Sequence, residues 1–330
     1  MSRPSVIASW FASPPPGVAI EIGAGRVTGV SIADRGGRLT VTAHASERLA
    51  DGVVAPALTT PNVADRAALA DAVKRVAAAI GGRPRRVALV IPDGAAKVSL
   101  VRFEKLPARV DDLAQLVRWQ VRKAVPFPLD QAQVSWTLGA RDASGASELV
   151  VTIARRDIVG EYELACTDAG LEPGVVDLAT FNLVNLVLAG DAAARDTAAG
   201  RDAEDWLLVH VAPDSSTMAI LRGTELILFR NRPAGDGALA DLVHQTAMYY
   251  EDRLSGRGFS RVLVAPRDLT APVAAEFAEL CRSLASRTGT PVVEVDLRTA
   301  SSLADRIAPA PELLRALAAP VGALVRDRVA

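Results

Sequence analysis

The run Val18–Ile22 is apolar except for Glu21, and Gly23, Ala24, Gly25 and Arg26 follow it at once. A carboxylate near a strand end can face a metal ion, and a glycine turn lets backbone amides approach a phosphate closely. Three readings share these residues. A dinucleotide fingerprint needs G-x-G-x-x-G running into a helix, whereas here Thr28 holds the third glycine slot and Gly29 comes one place late. A phosphate loop would use Glu21 as the metal-facing acid and the glycine turn as the cradle. An ordinary glycine hairpin at a sheet edge needs neither ligand.

The elements around this turn narrow the choice. Thr28 to Ile32 alternates and is rich in β-branched residues; Asp34-Arg35-Gly36-Gly37 then turns the chain into a further β-rich run, Leu39 to Thr42. That is a meander of hairpins, which removes the helix a dinucleotide fold requires. Apolar spacing predicts a helix over residues 62–80 closed by Gly81-Gly82, and Val87 to Ile91 reads as a buried parallel strand.

Residues 93–155 read as an inserted lobe. It runs strand (97–103), helix (110–124, ended by Pro126-Phe127-Pro128), then two strands (133–138 and 148–154). A helix over 157–169, a short strand at Val175-Val176 and an apolar helix over 178–188 follow. Residues 190–205, rich in Ala, Asp and Arg, are the best linker in the chain.

The second half opens on the same plan: a buried strand 206–211, a turn Pro213-Asp214-Ser215-Ser216, then strands 217–221 and 225–230. Helices over 238–254, 273–286 and 312–325 and strands 261–264 and 292–295 complete it, with Pro320 expected to kink or divide the last helix. Two halves that start with one meander fit a duplicated body. The domains expected are a leader at 1–16, a first lobe at 17–190 with the insert at about 93–155, a linker at 191–205 and a second lobe at 206–330.

Composition excludes several classes of function. The 330 residues are 50% hydrophobic but only 4% aromatic, which is an α/β composition long enough for two domains. With 37 basic and 38 acidic residues there is no electrostatic footprint of a nucleic-acid binder. Two cysteines, Cys166 and Cys281, and three scattered histidines offer no zinc spacing and no disulfide framework, so a reducing, cytoplasmic setting is expected. No stretch reaches the roughly 18 apolar residues of a membrane helix, and any membrane contact is expected through a partner.

The middle of the chain carries a more specific pattern. Phe103-Glu104-Lys105-Leu106-Pro107, the helix ending in Val125-Pro126-Phe127-Pro128-Leu129, Ala154-Arg155-Arg156-Asp157 and Ala169-Gly170-Leu171-Glu172-Pro173 occur in that order. These residues resemble the PilM family, actin-like proteins of type IV pilus assembly related to FtsA and GspL, and the likeness runs from about residue 17 onward. Leu317 to Leu324, with Gly322, also looks like the family's final helix.

The resemblance implies an α/β, actin-like (ribonuclease H-like, duplicated) fold with an inserted αβ subdomain. It implies a groove for the short cytoplasmic N-terminal peptide of a PilN-like inner-membrane protein, placed by analogy near Arg102, Leu106, Trp119, Val125 and Phe127. It also implies ATP at Glu21, Gly23, Ala24, Gly25, Arg26, Asp214, Ser215 and Ser216, with Mg at Glu21. Self-association is common among actin-like subunits.

The chain departs from that pattern in three places. Glu21 replaces the aspartate of the first loop. His210-Val211-Ala212 lacks both the acid and the glycine of the second, and Ala265-Pro266 stands where a glycine pair is expected. Phosphoryl transfer depends on positioned charge and metal, so these changes point to an adaptor with a degenerate nucleotide site rather than an enzyme. The alternative is an active ATPase of the same machinery or a sugar-kinase relative. A kinase would need a general base; Asp93 after its strand is the candidate, and a turn-forming role is the more ordinary one for such a residue.

Overall fold

The computed structural model of the 330-residue chain describes residues 16–81, 86–141, 145–194, 204–236, 239–268 and 271–326. The expected leader, apart from Pro16, and the middle of the expected linker lie outside the described residues.

Strands β1 (Val18–Ile22), β2 (Arg26–Arg35) and β3 (Arg38–Arg48), helix α1 (Arg66–Ile80) and strand β4 (Arg86–Ile91) open the chain. A 3-10 turn, Asp93–Ala95, leads into the insert: β5 (Ala96–Phe103), α2 (Val110–Val121), β6 (Ala132–Arg141) and β7 (Ser147–Arg155). Then come α3 (Arg156–Asp168), β8 (Glu172–Leu178) and α4 (Ala179–Ala194). The second half holds β9 (Asp205–Val211), β10 (Ser215–Arg222), β11 (Glu225–Pro233), α5 (Leu239–Leu254), β12 (Arg261–Pro266), α6 (Ala271–Thr288), β13 (Val292–Glu294), β14 (Ser302–Leu303) and α7 (Pro311–Val325).

Two large sheets repeat one plan. Their orders are β14-β3-β2-β1-β4-β8 and β11-β10-β9-β12-β13. In each, a central strand pairs antiparallel with its hairpin neighbour and parallel with the strand on its other side. All five residues of β1 are buried, as are Trp206 to Val211 of β9, because helices cover a sheet built from parallel crossovers. Both strands therefore read as continuous apolar runs, and a charged residue inside one has to find its partner within the protein.

Local chemistry sets the boundaries. α1 starts at Arg66 rather than at Asn62, since Asn62 is already engaged: its Oδ1 accepts from Ala57 N at 2.9 Å and its Nδ2 donates to Tyr162 Oη at 3.1 Å. Asp65 caps the helix instead, accepting from Ala68 N at 2.9 Å. The helix lies close on β2 at Gly29, where a Cβ would sit 2.5 Å from Val76 Cγ1. Ser215 and Ser216, expected in a turn, already belong to β10; the turn is Ala212 to Asp214, closed by Ala212 N donating to Ser215 O at 2.9 Å.

The insert is a three-stranded sheet, β5-β7-β6, with α2 across one face. It has its own small core around Val101, Phe103, Val117, Val121 and Val151.

The tail corrects the expected domain division. β14 pairs parallel with β3, Thr40 Oγ1 and Ser302 Oγ lie 2.9 Å apart, and α7 packs on α4, β1 and β2. Residues 302–325 thus return to the first lobe, not the second. Pro320 does not divide α7, which runs unbroken past it. The crossing of α7 on α4 is close enough at Gly322 that a Cβ there would overlap the Asn182 carbonyl.

Candidate functional site

The carboxyl ends of β1, β4, β9 and β12 converge on one cleft between the lobes, the place where open α/β sheets bind ligands. Gly23, Ala24 and Gly25 follow β1, Asp93 follows β4, Asp214 and Ser215 come just after β9, and Arg267 follows β12; all line one cavity. Six of the residues expected to bind nucleotide are therefore brought together: Glu21, Gly23, Ala24, Gly25, Asp214 and Ser215. Arg26 and Ser216 do not line it; Ser216 sits in β10 opposite Val211 and Arg232.

On the first-lobe side Glu21 is 3% exposed and its Oε1 forms an ion pair with Arg267 Nη1, while Oε2 has no hydrogen-bond partner. Arg267 is itself buried, and burial lowers its pKa against the pull of Asp268. Its root is fixed by its own N–H donating to Val211 O at 2.8 Å. Arg26 reaches across to Asp268 at 2.9 Å. The two lobes are tied by two crossed ion pairs at the turn where the glycines were expected to hold phosphate.

The floor of the cleft is a second polar knot, of which the sequence singled out Asp93 and His210 but not their partners Thr180 and Thr217. Asp93 is 2% exposed and accepts from Thr180 N at 3.0 Å, Thr180 Oγ1 at 2.5 Å and Thr217 Oγ1 at 2.7 Å, with His210 Nδ1 at 3.2 Å. Burial alone would push its carboxyl up, but the hydrogen bonds from His210 and Thr180 and the charge of His210 outweigh it and hold the pKa below the usual carboxylate range. A carboxylate so saturated with donors is a poor general base. Asp93 does open a short 3-10 turn, yet its side chain joins β4 and α4 of the first lobe to β9 and β10 of the second. The available signal was its place directly after a central parallel strand.

Burial raises the pKa of Asp214, whose Oδ2 accepts from Ser215 Oγ at 3.1 Å. At the end of β8, burial likewise pushes Asp177 up to about 6.

The cleft is narrow in this arrangement. The cavity holds about 20 Å³, room for about one water molecule. On the other side of Arg267 a void of about 10 Å³ is bounded by Ala265, Pro266, Ala318 and Ala319, so α7 fills the space beside the residues that replace the expected glycine pair. Glu21, the expected Mg ligand, already has a guanidinium partner. Among the described residues no group of three or more His, Cys, Asp or Glu side chains is arranged to hold a metal.

The residues expected to meet a partner peptide all lie in or beside the insert. Val125 is part of its core, Leu106 and Phe127 pack against that core, and Arg102 is exposed on β5 opposite Glu148. Trp119 on α2 is 59% exposed, with the Arg122 guanidinium 5.4 Å from its ring centroid. Val110 and Leu138 are exposed on the same lobe. Among the described residues no helix is long and apolar enough to cross a membrane.

The family described as type IV pilus assembly protein PilM matches residues 19–253. Among solved structures, a chain of a "PilM-PilN type IV pilus biogenesis complex" superposes with a TM-score of 0.76 at 17% identity, covering 96% of this chain and 99% of that one. The cytoplasmic domain of EpsL, an inner-membrane component of the Vibrio cholerae type II secretion system, gives 0.47 at 10% identity, covering 91% and 92%. The ethanolamine utilization protein EutJ of Carboxydothermus hydrogenoformans gives 0.44 at 13%, covering 95% and 90%. No curated protein matches the sequence. The fold is actin-like, with the three-stranded lobe inserted after β4.

Proposed function

The chain belongs to the family of the type IV pilus assembly protein PilM, and from that premise we propose that it is a docking subunit rather than an enzyme. In this reading it lies on the cytoplasmic face of the inner membrane and takes the short N-terminal peptide of a PilN-like membrane protein. It links that envelope component to the rest of a pilus or related secretion machine. The observation that carries the reading is the family match over residues 19–253, more than two thirds of the chain.

Two features of the molecule support it. The cleft between the lobes is narrowed by the protein's own side chains, with Glu21 paired to Arg267, which favours a docking role over phosphoryl transfer. The insert, by contrast, exposes Trp119, Val110 and Leu138, and aromatic side chains half in water are common anchors at interfaces. The peptide's apolar residues are proposed to pack between the insert and the first lobe, near Leu106 and Phe127. Self-association through another face is compatible with this arrangement.

The test is fluorescence anisotropy of a labelled peptide copying the cytoplasmic end of the cognate membrane partner. Binding by the wild-type protein, weakened roughly tenfold in Trp119→Ala, is expected for an aromatic anchor. Absence of binding to the wild-type chain would overturn the docking role; equal binding by Trp119→Ala would move the groove off this face.

A further inference from the structure

We propose that Arg267 is a built-in occupant of the inter-lobe cleft: its guanidinium takes the place that a ligand's charged head would fill between Glu21 and the Gly23 turn, and so latches the lobes shut. The inference deepens the docking reading and rests on it in one respect, since a subunit that never cycles nucleotide needs another way to hold its lobes together.

Arg267 is the first residue after β12, so its side chain enters the cleft from the carboxyl edge of the second sheet. Nη1 pairs with Glu21, and Nη2 donates to Thr28 Oγ1 at 3.4 Å. The group packs on the turn itself: a Cβ added at Gly23 would lie 3.7 Å from both Nε and Nη2. Glu21 and Thr28 are paired neighbours on β1 and β2, so one guanidinium grips two strands of the opposite lobe.

Asp268 completes the device. Its backbone is left-handed, with φ of 47°, a conformation that aspartate tolerates better than most residues. There its carboxylate meets Arg26 at 2.9 Å, with Arg267 Nε at 3.4 Å. Consecutive residues of one lobe, a cation and an anion, thus engage an anion and a cation of the other. The arrangement is self-neutralising, as buried charges must be. Glu21 Oε2 and Arg26 Nε remain without protein partners, and the cavity beside them has the volume for about one water.

Hydrogen–deuterium exchange on the full chain tests the latch. In the wild-type protein the segments 21–28 and 265–268 are expected to exchange slowly and identically with and without millimolar Mg-ATP. In Glu21→Gln/Arg267→Met, which removes both charges and leaves neither unpaired, exchange in both segments is expected to speed up by roughly tenfold, with β6 and β7 of the insert unchanged. Unaltered exchange in that variant would overturn the latch. Added protection of the wild-type turn by Mg-ATP would overturn it as well, and that arm requires no variant to fold. Binding of the partner peptide, read in the same samples, keeps the two claims separate: a failed latch with peptide still bound leaves the docking role standing.

Discussion

Two carboxyl groups near the cleft have pKa values shifted in opposite directions. Asp93 is held below the ordinary range, so it contributes stability above a pH of about 4 and loses that contribution as pH falls through its folded value. Asp177 is raised to about 6 by burial, so the folded state binds its proton more tightly than the unfolded chain does. Its contribution is therefore complete at low pH and is lost as pH rises between about 4 and 6. Replacing it should remove that cost: Asp177→Asn is expected to be more stable than wild type at pH 7.5 by roughly 1–3 kcal/mol, with the advantage vanishing near pH 4. Denaturant midpoints at the two pH values check this, and an unchanged difference would show that Asp177 does not titrate as described. Of the candidate residues, Glu21 and the glycine turn were legible because an acid in an apolar strand beside glycines is a local signal. Arg267 was not, because its partners Glu21 and Thr28 lie more than two hundred positions away and nothing in Ala265-Pro266-Arg267-Asp268 announces them.

Elements with strong periodicity were read closely from the chain, and those made by long-range pairing were not. β1, β4, β9 and α5 fall within a residue or two of their expected bounds, since their apolar patterns report which faces are covered. β14 has two residues and exists only through its pairing with β3, so it carries no pattern of its own. α7 shows the same limit differently: its helical period was clear, but its partner was not, and it packs on the first lobe. Pro320 stays inside the helix because tertiary packing outweighs the lost backbone hydrogen bond, with Ala316 to Gly322 all buried. Gly322 is the contact that permits this crossing. Gly322→Val is expected to destabilise the protein by roughly 1–3 kcal/mol through overpacking against Asn182, read as a lowered denaturant midpoint at unchanged slope; a neutral result would mean that α7 can shift without cost.

At the scale of the whole molecule, two lobes of one topology face each other across a cleft that their own side chains fill, and a third lobe projects apolar residues outward. Fold and family were readable from the repeated meander and from the ordered motifs of the middle segment, whereas the closure of the cleft depends on pairings between lobes that no single stretch contains. The proposed activity is docking, and it does not wait on nucleotide. Calorimetric titration of the full chain with the partner's cytoplasmic peptide, in the absence and then the presence of Mg-ATP, tests this most directly. Saturable peptide binding with the same affinity in both conditions, and no heat from Mg-ATP alone, is the expected result; peptide binding that requires Mg-ATP, or tight binding of Mg-ATP by itself, would contradict the docking role.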